Sequence, residues 1–404
     1  MNNEVKIVHI GLGAFFKAHV AWYTFKCSDW KIVAFTGRSA KAAEELSANN
    51  YKYELITKSA DGDSKEEIDN VVEAYDGNNI GVLTQYICSP NVAIVTLTIT
   101  EAGYTSELNG AISKLLNALE KRFERNGKPI AIVPCDNLTQ NGAKVRDLLN
   151  QLSVSKSEAF KKYLDERVSV VSTSVDRITP KSDLPNTVIT ESYSAWVLQG
   201  DFPAGRPNWE LAGAKFVDEI KPFENRKLWL LNGAHSLLAY MGINRGYQTV
   251  SEAIQDQDIM EHVAEFWQEA SDLLSNPDLE LNRYQNDLIT RFSNPNIVHQ
   301  LQQIAIDGSM KLRERILPII KGRMANGSPT VGCKFVISQW ISYLSNNAYN
   351  DVNSNRIADA LSSENSTKEL VAILDAELAV NQNYLDSIPT TENIGNKRHA
   401  KTAN

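Results

Sequence analysis

Cysteine is scarce in this chain, and no two cysteines form a metal-binding or redox pair. The four cysteines lie far apart along 404 residues, so we expect neither a disulfide framework nor a CxxC zinc site: Cys27, Cys88, Cys135 and Cys333. The six histidines form no HExxH arrangement, which removes the common zinc hydrolase signature. We therefore predict a metal-independent protein of a reducing compartment, the cytoplasm.

Long hydrophobic runs and an excess of positive charge are also missing. No stretch approaches the roughly 20 apolar residues that span a membrane, and His9 and Gly11 interrupt the short apolar N-terminal run, unlike a signal peptide. There are 41 basic and 49 acidic residues, a net charge of −8. This balance argues against a general affinity for nucleic acid. The 43% of hydrophobic residues is typical of folded domains, and the length allows two or three of them.

The first 180 residues alternate between β-prone runs and helical stretches. Residues 108–125 carry apolar side chains at helical spacing, and four short runs are rich in β-branched residues: Val5–Ile10, Lys31–Phe35, 91–98 and 130–133. This alternation is typical of a parallel sheet with helices on both faces. Beyond about residue 225 the pattern changes to successive amphipathic helices. We predict an α/β domain over residues 1–185 and a mostly α-helical domain over residues 186–404.

A glycine-containing turn follows the first predicted strand. Gly11 and Gly13 form a GxG pattern between a strand and a helix, the position at which a dinucleotide pyrophosphate rests on a helix N-terminus. Gly11 would permit the tight turn, and Gly13 would let the backbone approach a phosphate. Phe16 replaces the third glycine of the usual fingerprint, so an ordinary strand-to-helix turn is the alternative.

The end of the second predicted strand carries no acidic residue. An NAD-binding protein usually has Asp or Glu there to bind the adenosine ribose. Here Arg38, Ser39 and Lys41 are present and could meet a 2′-phosphate of NADP. Alternatively, Arg38 stacks on adenine or faces solvent.

An apolar helix predicted around residues 226–240 contains three polar residues on one broad face. With Lys227 at zero, a regular helix places His235 at about 80° and Asn232 at about 140°. Lysine can act as a base where burial lowers its pKa, asparagine can donate to an alkoxide, and histidine can orient a hydroxyl. The alternative is a salt-bridged Lys, a helix-bending Asn and a satisfied core His.

Two further polar clusters follow predicted strands. Asn137 comes after the strand at 130–133, where α/β sheets bind ligands, although Asp136 and Asn137 could equally cap the next helix. Asp176 stands near the domain boundary, either in a cleft or paired with Arg177.

These residues lie in motifs that resemble the mannitol dehydrogenase / mannonate oxidoreductase family, the polyol-specific long-chain dehydrogenases. The resemblance covers nearly the whole chain and consists of eight ordered motifs: GLGAF at 11–15 with AH at 18–19, TLTITE at 96–101 with GY at 103–104, CDNL at 135–138 with NG at 141–142, VDRITP at 175–180, FPAGRP at 202–207, KL at 227–228 with LLNG at 230–233 and HS at 235–236, RF at 291–292 with NP at 294–295, and DGS at 307–309 with KL at 311–312. The glycine turn continues with Phe16 and Lys17, where the family often has His-Arg.

The resemblance implies a Rossmann-type N-terminal domain, a mostly α-helical C-terminal domain, and hydride transfer between NAD or NADP and a secondary alcohol. It assigns the catalytic base to Lys227, alkoxide stabilisation to Asn137 and Asn232, substrate orientation to His235, and an interdomain position to Asp176. With it, we predict cofactor contacts from Gly11, Gly13, Ala14, Phe15, Arg38, Thr98 and Asn137. We predict substrate contacts from Asp176, Lys227, Asn232, His235 and Lys311.

The sequence thus predicts a monomeric or homodimeric enzyme that interconverts a polyol and a ketose, with mannitol and fructose as the first pair. Mannonate and fructuronate are the second pair, and a carboxylate substrate would want an extra cation, for which Arg291, His299 and Lys311 are candidates. A non-catalytic NAD(P)-binding sensor is the rival from another class. The lysine, the two asparagines and the histidine argue against it, since a sensor needs no base.

Overall fold

The computed structural model describes residues 4–37, 39–59, 62–100, 103–107 and 109–389. The chain divides into two compact units, Met1–Lys221 and Pro222–Asn404. This division falls later than the boundary predicted at 185/186. The reason is strand pairing, because Thr187–Glu191 pairs with Tyr53–Lys58 and Ala195–Gln199 pairs with Ser172–Asp176, all within the first unit.

The first unit contains all of the strands that the structure describes. In chain order they are β1 (Val5–Ile10), β2 (Lys31–Phe35), β3 (Tyr53–Lys58), β4 (Ser64–Ile68), β5 (Val71–Tyr75), β6 (Ile94–Leu97), β7 (Ile130–Pro134), β8 (Val168–Val170), β9 (Ser172–Asp176), β10 (Thr187–Glu191), β11 (Ala195–Gln199) and β12 (Lys215–Phe216).

Six of these strands form one parallel sheet in the order β5-β2-β1-β6-β7-β8. This is the Rossmann order, in which the chain reverses its direction of sheet growth between β1 and the next central strand, and ligands bind beside that point. The bounds of β1 and β2 are those predicted from the sequence. Strands β6 and β7 are buried along their whole length, as expected for a sheet covered on both faces.

Six helices accompany this sheet in the described part of the first unit. Helix α1 runs over residues 14–27 in three segments, α-helical at Ala14–Phe16 and Trp22–Cys27 and π-helical at Lys17–Ala21. The others are α2 (Lys41–Ala48), α3 (Ile80–Ile87), α4 (Ala111–Arg125), α5 (Asn141–Leu152) and α6 (Glu158–Arg167). Two hydrophobic clusters lie on opposite faces of the sheet, with Ile7 in one and Val8 in the other. The predicted α/β arrangement is confirmed.

Two small three-stranded sheets complete the first unit, in the orders β10-β3-β4 and β12-β11-β9. The sequence analysis did not anticipate them. Their strands are short and their composition is mixed; β4 reads SKEEI and is mostly exposed. Without an apolar run or a clear alternation, such strands are formed by their pairing partners rather than by local propensity.

The second unit is helical throughout its described residues, as predicted. Its first long helix, α7, covers residues 221–244 in three segments, Lys221–Arg226, Lys227–Gly233 and Ala234–Asn244, of which the middle one is π-helical. The remaining helices are α8 (Val250–Ala253), α9 (Gln257–Ser271), α10 (Leu281–Phe292), α11 (Leu301–Ala305), α12 (Gly308–Arg315), α13 (Leu317–Ala325), α14 (Val331–Asn346), α15 (Ser354–Leu361), α16 (Ser366–Leu374), α17 (Ala376–Ala379) and α18 (Gln382–Asp386). Helices α9, α11 and α14 pack around the last segment of α7, which is buried nearly throughout.

Candidate functional site

The glycine turn after β1 is held by its neighbouring strands. Gly11 has a φ of +112°, and a Cβ atom there would lie 2.3 Å from the carbonyl oxygen of Thr98. The amides of Gly11 and Leu12 both donate to the carbonyl of Phe35, at 2.8 and 2.9 Å. The Thr98 hydroxyl donates to the carbonyl of Gly11 at 2.7 Å. Position 11 therefore requires glycine both for its backbone angle and for its space.

Gly13 differs from Gly11, because the protein itself leaves room beside it. Its φ is −145°, and the nearest atom to an added Cβ would be the Gly11 carbonyl oxygen at 3.7 Å. Gly13 is the N-cap residue of α1, and no side chain caps this helix end. The first-turn amides, those of Ala14 and Phe15 among them, can therefore bind an anion.

The buried side chain of His9 supports this turn through hydrogen bonds to two threonines. His9 Nδ1 lies 2.8 Å from the Thr96 hydroxyl and its Nε2 lies 3.1 Å from the Thr98 hydroxyl. Since Thr98 donates its own proton to Gly11, it accepts from Nε2–H, and Nδ1 accepts from Thr96. The ring also stacks on Phe16 at a centroid distance of 3.6 Å. Burial lowers the pKa of His9 to about 3, so the ring stays neutral.

The end of β2 faces the same region. The buried Thr36 hydroxyl accepts a hydrogen bond from the Gly77 amide at 3.0 Å. Arg38, the candidate for a 2′-phosphate, lies outside the described residues. Lys41 places its ammonium 3.7 Å from Glu45, and both side chains are largely exposed.

Two cavities open beside the glycine turn, and Leu12, Thr36 and Gly37 line both of them. One has a volume of about 1020 Å³, and its other lining residues include Gly13, Ala14, Lys17, Ser39, Lys41 and Glu45. The second has a volume of about 540 Å³, and its other lining residues include Gly11, Phe35, Gly77, Thr98 and Lys114. Of the residues predicted to contact a cofactor, Gly11, Gly13, Ala14 and Thr98 thus lie around one region. Phe15 and Asn137 line neither cavity.

The loop after β7 carries Asn137 on its exposed side. The neighbouring Asp136 accepts hydrogen bonds from the Tyr104 hydroxyl, from the Leu138 amide at 3.1 Å and from the Asn141 side chain at 3.5 Å. Burial raises the pKa of Asp136, and its hydrogen-bond donors act in the opposite direction. The alternative that these residues cap helix α5 is not what the structure shows, because Gln140 is the N-cap residue and no side chain caps the helix. Tyr104 was missed as a partner, although it belongs to a motif that the sequence analysis used.

Asp176 is the last residue of β9, half-buried and opposite Ala195 of β11. Its neighbour Arg177 is buried and donates to the carbonyl of Ala18 at 2.5 Å, and its guanidinium lies 4.3 Å from the ring centroid of Trp22. Burial lowers the pKa of Arg177 to about 10. Arg177 therefore fastens β9 to helix α1, whereas the substrate role of Asp176 stays a prediction.

In the second unit, Lys227 and Asn232 lie in the π-helical segment of α7. Both are half-buried. The angles predicted for a regular α-helix do not apply across this segment, because a π-helix has more residues per turn, and such segments recur at functional sites. Arg315 donates to the Asn232 carbonyl and to the Ser236 hydroxyl, both at 3.1 Å. Arg315 was missed, since nothing in its local sequence signals a contact with α7.

His235 follows in the same helix and is buried, with 8% of its surface exposed. Its Nε2 atom has no hydrogen-bond partner among the described residues. The ring packs against Phe292 and lies edge-on to His299, with centroids 4.8 and 5.0 Å away. The interpretation as a fully satisfied core histidine therefore does not hold.

The surroundings of His235 are strongly cationic. Burial is the largest cause that lowers its pKa well below the usual value, and His299, Arg315, Arg291 and Lys311 add to it. Burial, Arg291 and Lys311 lower the pKa of His299 in the same way. Lys311 also donates to the carbonyl of Ile304 at 3.0 Å. Arg291 and Lys311, two of the candidates for binding a substrate carboxylate, thus act on both histidines, while the third candidate, His299, stays neutral at pH 7.

The described residues contain no group of three or more His, Cys, Asp or Glu side chains placed to hold a metal ion. They also contain no helix that is long and apolar enough to cross a membrane.

A parallel sheet in Rossmann order, a glycine turn at its reversal point and a helical second unit define a dehydrogenase of the Rossmann type. The chain belongs to the mannitol dehydrogenase family. Residues 5–211 match the mannitol dehydrogenase Rossmann domain, and residues 219–393 match the mannitol dehydrogenase C-terminal domain. The family prediction and the predicted fold class are confirmed.

Several characterised proteins are similar to this chain. D-mannonate oxidoreductase of Escherichia coli (strain K12) is 32% identical over 84% of this chain and 80% of its own length. Mannitol 2-dehydrogenase of Aspergillus oryzae is 29% identical over 84% of this chain and 78% of its own length. Among solved structures, the Pseudomonas fluorescens mannitol 2-dehydrogenase ternary complex with NAD and D-mannitol superposes with a TM-score of 0.81 at 25% identity, covering 100% of this chain and 95% of that one.

Proposed function

We propose that this protein is an NAD(P)-dependent, metal-independent dehydrogenase that interconverts a polyol and a ketose, with mannitol and fructose as the first pair. The observation that carries the proposal is the helix α7. It contains Lys227 and Asn232 in a π-helical segment and, next to them, a buried His235 whose Nε2 has no hydrogen-bond partner among the residues that the structure describes. A buried polar atom without a partner costs roughly 1–3 kcal/mol, and a substrate hydroxyl would relieve that cost.

The first unit fits a dinucleotide. The uncapped start of α1, the open space at Gly13 and the two adjoining cavities can hold a pyrophosphate and an adenosine, with Gly11, Gly13, Ala14 and Thr98 around them. When bound, the nicotinamide accepts or gives the hydride. The choice between NAD and NADP rests on Arg38, Ser39 and Lys41, and no acidic residue stands between Ala34 and Lys41.

The proposed roles follow the family resemblance. In oxidation, Lys227 takes the proton of the substrate hydroxyl. Asn137 and Asn232 donate to the alkoxide, His235 orients the substrate, and Asp176 contributes to its binding. In reduction, the protonated Lys227 returns the proton to the carbonyl oxygen.

The second candidate pair is mannonate and fructuronate, and a specific observation favours it. Arg291, Lys311 and Arg315 all act on His235, and burial keeps the histidine neutral. A substrate carboxylate would balance this local positive charge, as a bidentate partner of an arginine for example. The similarity to the D-mannonate oxidoreductase of E. coli supports the same candidate.

The test is to mix the protein and NAD(P)H with each member of a panel of ketoses and keto-uronates. Turnover is measured as the loss of NAD(P)H absorbance. Turnover of fructose supports the first pair, and turnover of fructuronate supports the second. Arg291→Met should lower kcat/KM for a keto-uronate at least tenfold more than for fructose if the cation binds a carboxylate. No turnover across the panel, with cofactor binding intact, would refute the enzymatic proposal and favour a sensor.

A further inference from the structure

The ammonium of Lys17 lies in an unusual position in the first unit. Lys17 is the fourth residue of α1 and lines the cavity of about 1020 Å³ together with Gly13, Ala14 and Gly37. Side chains on a helix lean toward its N-terminus. A lysine at this position can therefore reach back toward the first turn of α1, the part of the helix whose amides no side chain caps.

Lys17 also lacks the partner that other lysines nearby possess. Its Nζ atom makes no hydrogen bond or ion pair with any described residue, and it lies 5.4 Å from the centroid of the Tyr53 ring. Lys26 of the same helix lies 2.7 Å from Glu66, and Lys41 of the same cavity lies 3.7 Å from Glu45.

The lack of an ion-pair partner among the described residues matters because the Lys17 side chain is partly buried. Lys17 is half-buried, and burial lowers its pKa, while the charge of Glu45 acts in the other direction. A partly buried cation without a partner is unfavourable. The arrangement becomes favourable once an anion enters the cavity, since an anion there meets the ammonium and the helix amides together.

We propose that Lys17 binds the pyrophosphate of the dinucleotide cofactor, as the positive charge that complements the glycine turn. The inference rests on the proposed function, because it takes the cofactor to be a dinucleotide. Gly13 leaves space through which a phosphate would reach the first-turn amides, and Lys17 lines the same cavity. Lys17 is thereby a cofactor-binding residue, separate from Arg38 and Lys41 at the end of β2.

Binding of ADP and of adenosine to the full-length protein tests this assignment by calorimetry. Lys17→Met should weaken ADP, NAD(H) and NADP(H) about ten- to a hundredfold, because a hydrogen bond to a charged group contributes roughly 1.5–3 kcal/mol. Adenosine, which has no phosphate, should bind as it does to the unaltered protein. Lys17→Arg keeps the charge and should restore ADP affinity to within a few-fold. The matched control is Lys26→Met, on the same helix and already paired, which should leave ADP affinity unchanged.

Three results would overturn the assignment. Equal ADP affinity of Lys17→Met and the unaltered protein would show that Lys17 does not touch the pyrophosphate. A loss confined to NADP(H) would place Lys17 at the 2′-phosphate instead. An unaltered protein that binds neither ADP nor a nicotinamide dinucleotide would refute the proposed function, and this inference with it. If Lys17→Met folds poorly in a thermal melt, Lys17→Gln gives the same comparison with a polar side chain.

Discussion

Alanine at Gly11 should destabilise the fold, whereas alanine at Gly13 should preserve the fold and weaken cofactor binding. At Gly11 the substitution forces an L-residue to a φ of +112° and places its Cβ 2.3 Å from the Thr98 carbonyl oxygen. At Gly13 the backbone is extended, and the nearest atom would be 3.7 Å away. The two substitutions therefore distinguish the glycine that the backbone of the turn requires from the glycine that leaves room for the cofactor.

The magnitudes follow from these contacts. The strained angle at Gly11 costs about 1–3 kcal/mol, and the overlap with Thr98 costs a further 1–3 kcal/mol or so. Gly11→Ala should thus lower the free energy of unfolding by roughly 2–6 kcal/mol, a large part of the 5–15 kcal/mol typical of a folded protein. Gly13→Ala should leave it unchanged or raise it by about 0.4–1 kcal/mol, because alanine restricts the unfolded chain.

Cofactor affinity is the quantity that Gly13→Ala should change. Gly13→Ala keeps the fold but places a methyl group where the phosphate approaches, so we expect NAD(P)H affinity to fall at least about tenfold. Urea unfolding measures the stability of each variant, and NAD(P)H fluorescence titration measures its affinity. Full NAD(P)H affinity in Gly13→Ala, or native stability in Gly11→Ala, would refute the account of the turn.

Three further predictions concern the base, the metal and the response to pH. Lys227→Ala should reduce turnover about 10²-fold or more while cofactor affinity stays unchanged, measured by steady-state kinetics and titration; near-normal turnover would move the base elsewhere. Activity should survive exhaustive EDTA dialysis, and a loss that zinc restores would contradict the metal-independent mechanism. Burial lowers the pKa of His9 to about 3, against about 6.5 unfolded. The native state therefore binds this proton less readily, and its stability is complete above about pH 6.5 and falls toward pH 3, by roughly 2 kcal/mol at pH 5. Urea unfolding between pH 7 and 5 should show this slope, to which His235 and His299 add because their pKa values are also lowered, and His9→Gln should reduce it without abolishing it.

Local sequence determined the elements whose residues have a strong backbone preference, namely the β-branched strands and the glycine turn. The β-branched runs Val5–Ile10 and Lys31–Phe35 are strands with the predicted bounds, since strands of a parallel sheet covered on both faces are mostly apolar. The glycine turn was equally readable, because Gly11 occupies a backbone conformation that other residues avoid. The eight ordered motifs identify the family without any knowledge of three-dimensional contacts.

Tertiary structure alone decided which distant groups meet. His9 reaches Thr98 across 89 residues and Arg315 reaches Asn232 across 83, and no local pattern encodes either pairing. The same holds for the cations around His235 and for Lys17, whose significance depends on the cavity that it lines and on the lack of an ion pair with any other described residue. The local sequence determines which residues have a strong backbone preference. Long-range packing determines burial and charge environment, and these give a side chain its chemistry.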